Sequence, residues 1–176
     1  MKKTFNSPLT ISKKDLLDPS GQTDKNFRQF LYDLSIAGAQ LEVARGYLAT
    51  QLGVTPPQYN ILMVIAQYQH PDGIGLSEVA NHLHVSIAHV TNEIKKLDQL
   101  AWVTIEINPQ DRRARLVKIH PKAEKHFIQL GHHQRTTNNL LFGNLSKAEF
   151  NKMRDIMTRL IEDFALTIDH LELNKK

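Results

Sequence analysis

The stretch LSEVANHLHVSIAHVTNEIKKL, residues 76–97, decides the fold. Val79, Ala80 and Leu83 recur at helical spacing over 77–83, the polar turn His84-Val85-Ser86 follows, and a second helix begins at once. That second helix is expected from about Ser86 to Leu100, with Ser86 as its N-cap. On a wheel of about 100° per residue, Ile87, Val90, Ile94 and Leu97 share one side, expected to face the core. The opposite side is centred on Asn92, flanked by Ala88, His89, Lys95 and Lys96 with Thr91 at the margin, and no acid stands among these residues. Short polar and basic groups on one exposed face suit a DNA groove. Asn can bond bidentately to adenine, Ala permits close approach or meets a thymine methyl, and Lys reaches phosphate or guanine. The capped N-terminus adds its amides and positive dipole end beside the backbone.

Downstream, Val103, Ile105 and Ile107 alternate with Thr104 and Glu106, and after Asn108-Pro109-Gln110-Asp111 a second β-rich run covers 116–119. This reads as a hairpin whose tip carries Arg112, Arg113 and Arg115. Guanidinium groups there can enter a narrow minor groove, with Asp111 orienting an arginine. Taken alone, an Asn with two Lys, or a basic turn, is ordinary solvated surface. The combination of short helix, tight turn, helix and arginine hairpin points to double-stranded DNA.

Outward from this region the chain is helical. Phe27, Leu31, Leu34, Leu41, Tyr47, Leu48 and Leu52 describe one long amphipathic helix from Asp24 to before Gly53. Thr55-Pro56-Pro57 opens another, which stops near 70–73. Pro121 starts a helix reaching Phe142, although His120 is a poor N-cap, and Ser146 with Glu149 forms a capping box for the last one. Its seam of Phe150, Met153, Met157, Leu160, Phe164, Ile168 and Leu171 exceeds what one face of a small domain covers. The expected fold class is mainly α with a small β-hairpin wing (α+β), a winged helix-turn-helix with long terminal helices. Its parts are a flexible arm over 1–22, a helical dimerisation region over 24–53 and 121–172, and the winged domain over 55–119.

Bulk composition narrows the function classes. The 176 residues are 41% hydrophobic and 23% charged, enough for a core in one or two small domains. A net charge of +4 favours a polyanionic partner only weakly, so the placement of charge carries the argument. The absence of cysteine excludes disulfides, thiolate nucleophiles, zinc–cysteine sites and thiol redox sensing. No signal peptide or membrane-length apolar run is present, so a cytoplasmic location with no membrane partner is expected. Nine histidines raise a metal, but His82 and His84 straddle a helix end, His132 and His133 point to different faces, and His126 stands apart. No metal and no cofactor are expected. No nucleophile elbow, phosphate loop or zincin motif appears, so no enzyme is expected. The alternatives are a metal-responsive regulator of the same fold and a winged-helix module that binds protein.

The stretches VTPPQYNIL (54–62), 76–97 and NPQDRRARLV (108–117) resemble the MarR family of bacterial regulators in order and spacing, over roughly residues 24–172. The resemblance implies a homodimer whose long first helix and last two helices intertwine, a pseudo-palindromic operator, and action as a repressor. It makes Asp111 and Arg113 the family's wing pair. It also implies a small aromatic or phenolic effector between the dimer helices and the winged domain, for which Arg45 and Tyr68 are the candidates. Three departures stand out. Ala101-Trp102 replaces the usual glycine before the first wing strand, Ile119-His120 replaces Leu-Thr, and Ala123 or Glu124 replaces a glycine soon after. A wing-to-helix junction packed differently from the family norm is therefore expected.

Overall fold

A computed structural model describes residues 7–174, and these divide into two compact units with the boundary after Gly131. The first unit holds helices α1 (Lys25–Leu52), α2 (Pro56–Tyr68), α3 (Leu76–Leu83) and α4 (Ile87–Gln99). Three strands complete it: β1 (Ile74–Gly75), β2 (Val103–Ile107) and β3 (Arg115–Ile119). Helix α5 (Glu124–Phe142) crosses from the first unit into the second, and α6 (Lys147–Leu173) lies in the second. The protein is thus mainly helical with a small antiparallel sheet, in the winged helix-turn-helix arrangement.

The core of the first unit joins the C-terminal turns of α1 to α2, α3, α4 and the sheet. Leu48 and Ala49 from α1, Ile61, Leu62 and Ile65 from α2, and Val90, Ile94 and Leu97 from α4 are all buried. Each large aliphatic withdrawn there contributes roughly 1.5–3 kcal/mol. Local signals place the elements: Thr55 and Gln58 form a capping box at α2, with prolines in its first turn, and Ser146 and Glu149 form another at α6.

The sheet has the order β1-β3-β2, so β3 is central and its Val117 is fully buried opposite both Ile74 and Ile105. Strand β1 adds an edge that alternation in the sequence does not reveal. It reaches β3 through Gly73 at φ +107°, where a Cβ would lie 2.9 Å from the Val117 carbonyl oxygen. No other residue fits there. Gln69 Oε1 accepts the Ile119 amide at 2.8 Å and ties the end of β3 to α2.

Three helices stop in the same way. At α1, Gly53 (φ +67°) donates to Thr50 and Val54 to Ala49; at α3, His84 (φ +51°) donates to Asn81 and Val85 to Ala80. At α4, Ala101 (φ +56°) donates to Asp98 and Trp102 to Leu97. Each is a Schellman ending with one left-handed residue, and only the first uses glycine. The Ala101 departure noted in the sequence therefore falls on a backbone position that favours glycine. A left-handed alanine costs roughly 1–2 kcal/mol, against roughly 0.4–1 kcal/mol for the added freedom of an unfolded glycine. Ala101→Gly should accordingly stabilise the fold by about 0.5–1 kcal/mol, read as a raised denaturation midpoint; an unchanged or lowered midpoint would refute the strain.

The junction after β3 also departs from expectation. His120 does cap the chain: its Nδ1 accepts the Lys122 amide at 3.1 Å and starts a 3-10 turn, Pro121–Ala123, ahead of α5. An imidazole nitrogen supplies the acceptor that capping rules expect from oxygen. Ala123 is buried in this turn, and Trp102 meets His126 and Phe127 with ring centroids 5.4 and 6.2 Å apart.

Of the extension expected over 1–22, residues 1–6 lie outside the described residues, and the rest is fastened to the start of α1. Buried Asp24 accepts from the Thr10 amide at 2.6 Å and hydroxyl at 2.7 Å, and pairs with Arg28 at 2.7 Å. Arg28 also donates to Ser7 and to the Pro8 carbonyl. The Thr10 hydrogen bonds and then Arg28 hold the Asp24 carboxyl far below the usual carboxylate range, against the opposing effect of burial.

Among the described residues, no helix is long and apolar enough to cross a membrane.

Candidate nucleic-acid interface

Helix α4 is capped by Ser86, whose Oγ accepts the His89 amide at 3.2 Å and so satisfies one of the first-turn donors. Val90, Ile94 and Leu97 hold its inner side in the core. Ile87, expected beside them, is instead 53% exposed, as is neighbouring Val85 at 40%. The first turn of α4 projects past the core, so an apolar side chain on the correct side of the wheel still meets solvent.

Ala88, His89, Asn92, Lys95 and Lys96 are all exposed, which brings five of the expected groove residues onto one accessible face. Thr91 is half-buried and its hydroxyl donates back to the Ile87 carbonyl at 2.8 Å, leaving its methyl as the freer part. Lys96 is not solitary: its Nζ lies 2.6 Å from Glu93 Oε1. The Glu93 side chain is only 12% exposed, and its other oxygen accepts from buried Gln58 at 3.0 Å. The Lys96 hydrogen bond, and after it that from Gln58, hold the Glu93 carboxyl below its ordinary range, although burial opposes them. Sequence reasoning passes over Glu93 because it lies off the reading face, although Glu and Lys three apart on a helix is a legible pairing signal.

The wing tip is built by its own side chains. Asn108 Oδ1 accepts the Gln110 amide at 2.9 Å, and Asp111 Oδ1 accepts the Arg113 amide at 3.0 Å. The Ala114 amide closes on the Asp111 carbonyl at 2.9 Å. Asp111 thus orients the backbone of Arg113, whereas the sequence leaves open which part of an arginine it fixes. Arg115 donates to the Arg112 and Ala114 carbonyls at 3.2 and 3.3 Å, so it braces the turn. Arg112 and Arg113 are exposed at the tip. Lower in the hairpin, Lys118 pairs with Glu106 at 2.7 Å, which leaves the net positive charge concentrated at the arginines.

The two effector candidates have different surroundings. Arg45 Nε donates to Asn60 at 2.8 Å and its guanidinium lies 5.5 Å from the Tyr59 ring centre. Tyr68 stacks on His82 at 3.9 Å. They share none of these partners. Among the described residues, no group of three or more His, Cys, Asp or Glu side chains lies together as a metal site would require; His132 and His133 meet edge to face at 5.9 Å.

Residues 54–114 match the family model described as MarR family. No curated protein matches the chain by sequence. Among solved structures, the fold is similar to that of CouR from Rhodococcus jostii RHA1, solved with p-coumaroyl-CoA bound. That likeness has 17% identity, covers 74% of this chain and 90% of that one, and gives a TM-score of 0.67. The transcriptional regulator SlyA is 15% identical over 81% of this chain and 98% of its own, with a TM-score of 0.65. MepR from S. aureus, solved as a DNA complex, is 16% identical over 76% and 97%, with a TM-score of 0.65. At these identities the likeness establishes the fold.

Proposed function

From the match of residues 54–114 to the MarR family model, we propose that the chain is a sequence-specific, double-stranded DNA-binding repressor that acts as a homodimer. The observation that carries this reading is one compact unit in which a capped helix and an arginine-tipped hairpin both present exposed basic and amide groups. Helix α4 enters the major groove with Asn92 reading a base edge and Ala88, His89 and Lys95 beside it. Ser86 leaves the helix N-terminus at a phosphate, and Arg112 and Arg113 follow the adjacent minor groove, where the potential is most negative. MepR was solved with DNA, which fits this use of the fold.

Twofold pairing would cover the apolar side chains that the single chain leaves exposed on α1 and α6, among them Phe30, Ile36, Phe164 and Ile168. Two such domains dock on half-sites whose centres lie about one helical turn apart. A small aromatic effector would release the dimer by favouring a spacing that does not match the operator; CouR was solved with an aromatic acyl-CoA.

Selection of bound duplexes from random DNA tests the reading. Enrichment of a pseudo-palindrome, with affinity falling steeply as salt rises, is the expected result; no enriched sequence, or salt-insensitive binding to a protein instead, would refute it. On the selected operator, Asn92→Ala should relax preference at one position per half-site, at about 1–3 kcal/mol, while overall fold and dimer mass stay unchanged.

A further inference from the structure

Glu93 stands just behind the reading face of α4 with both carboxylate oxygens engaged, one by Lys96 Nζ at 2.6 Å and one by Gln58 Nε2 at 3.0 Å. Gln58 is itself buried, and its Oε1 accepts the Thr55 amide at 3.1 Å in the capping box of α2. A continuous hydrogen-bonded chain therefore runs from the start of α2 to a lysine on the candidate groove face. Most helix-surface ion pairs are loose, with both partners free to swing into water; Arg154 and Asp155, 62% and 66% exposed, are of that kind. Here only the lysine can move, because the carboxylate is 12% exposed and anchored from behind.

We propose that Glu93 is a positioning residue that acts as a fixed internal counterion for Lys96, lowering sequence-independent attraction to the phosphate backbone so that discrimination rests on the base-reading groups. The proposal rests on the DNA-binding reading above. Its physical basis is that non-specific affinity grows with the number of phosphates neutralised and counterions released. A lysine already paired with a carboxylate brings almost no net charge to a random duplex. At a matched site base-edge contacts carry the discrimination, so a lysine held by Glu93 is missed less there than on a random duplex.

The test measures fluorescence anisotropy on a random-sequence duplex and on the selected operator, with salt raised from about 50 to 200 mM. Glu93→Gln keeps an acceptor for Gln58 and removes the charge. Its binding to the random duplex should fall about 3.5-fold more than that of the unmodified protein over this range, which corresponds to one more neutralised phosphate. Its operator-to-random affinity ratio should also drop. Lys96→Gln should flatten the salt slope by about 0.9 in the Glu93→Gln background and by much less in the unmodified protein. Equal effects of Lys96→Gln in both backgrounds, or an unchanged slope and ratio in Glu93→Gln, would overturn the proposal. Should Glu93→Gln fail to fold, Lys96→Gln alone decides: a slope flattened by the full amount of about 0.9 in the otherwise unmodified protein refutes internal pairing. A protein that binds no duplex at all would remove the DNA reading and this proposal together, whereas steep salt dependence in the unmodified protein with uncoupled variants removes only this proposal.

Discussion

Replacing Phe164 and Ile168 of α6 with aspartate should turn the proposed dimer into a 20.1-kDa monomer and abolish binding to the selected operator, as read by light scattering and gel shift. Both side chains are about half exposed in the single chain, at 45% and 56%, so charge there does not disturb its own core. Because each is already half covered, burying the rest in a partner is worth roughly 0.7–1.5 kcal/mol, and a twofold interface counts every substitution twice. The loss is then about 3–6 kcal/mol, a factor of about 10²–10⁴ in dimer affinity, before the cost of desolvating four carboxylates is added. Circular dichroism should keep its helical signal. A variant that remains dimeric would show that α6 is not the pairing surface.

Removing both wing-tip arginines should have the second largest effect. Arg112→Ala with Arg113→Ala should weaken operator binding by roughly 2–6 kcal/mol, at about 1–3 kcal/mol for each guanidinium that enters the groove. The salt slope should flatten by about 0.9 for every phosphate that the variant no longer neutralises. The turn should survive, because Asn108 and Asp111 hold it through backbone amides and Arg115 braces it from the side. Thermal stability should therefore stay within about 0.5 kcal/mol of the unmodified protein, as for other exposed surface changes. Equal operator affinity in the double variant would place the wing away from DNA.

Much of this architecture is legible in the residues. The boundaries of α4 follow from Ser86 as a cap and from the spacing of Val90, Ile94 and Leu97, and its exposed side follows by subtraction. Depth is less legible than direction: a wheel puts Ile87 with the core residues but cannot say that the first turn extends past them. Strand β1 escapes because two residues hold no alternation and their partners on β3, Val117 and Leu116, are remote in the chain. The His120 cap escapes because propensity ranks oxygen acceptors and takes no account of a well-placed imidazole nitrogen. The Glu93–Gln58 hydrogen bond joins two helices across 35 positions, so only the Lys96 half of that network could be read locally.

The left-handed residues His84 and Ala101 flank the recognition helix closely, one in the turn that leads to it and one in the ending that leaves it. Both carry a Cβ where glycine would relax the backbone, so unused stability is stored at the two ends of the segment proposed to meet DNA. This matters for how the binding face can change over time. If α4 reads DNA as proposed, altered base preference requires new side chains on it, and most such changes destabilise; a chain that relaxes either position first gains tolerance for them without touching the exposed face of α4.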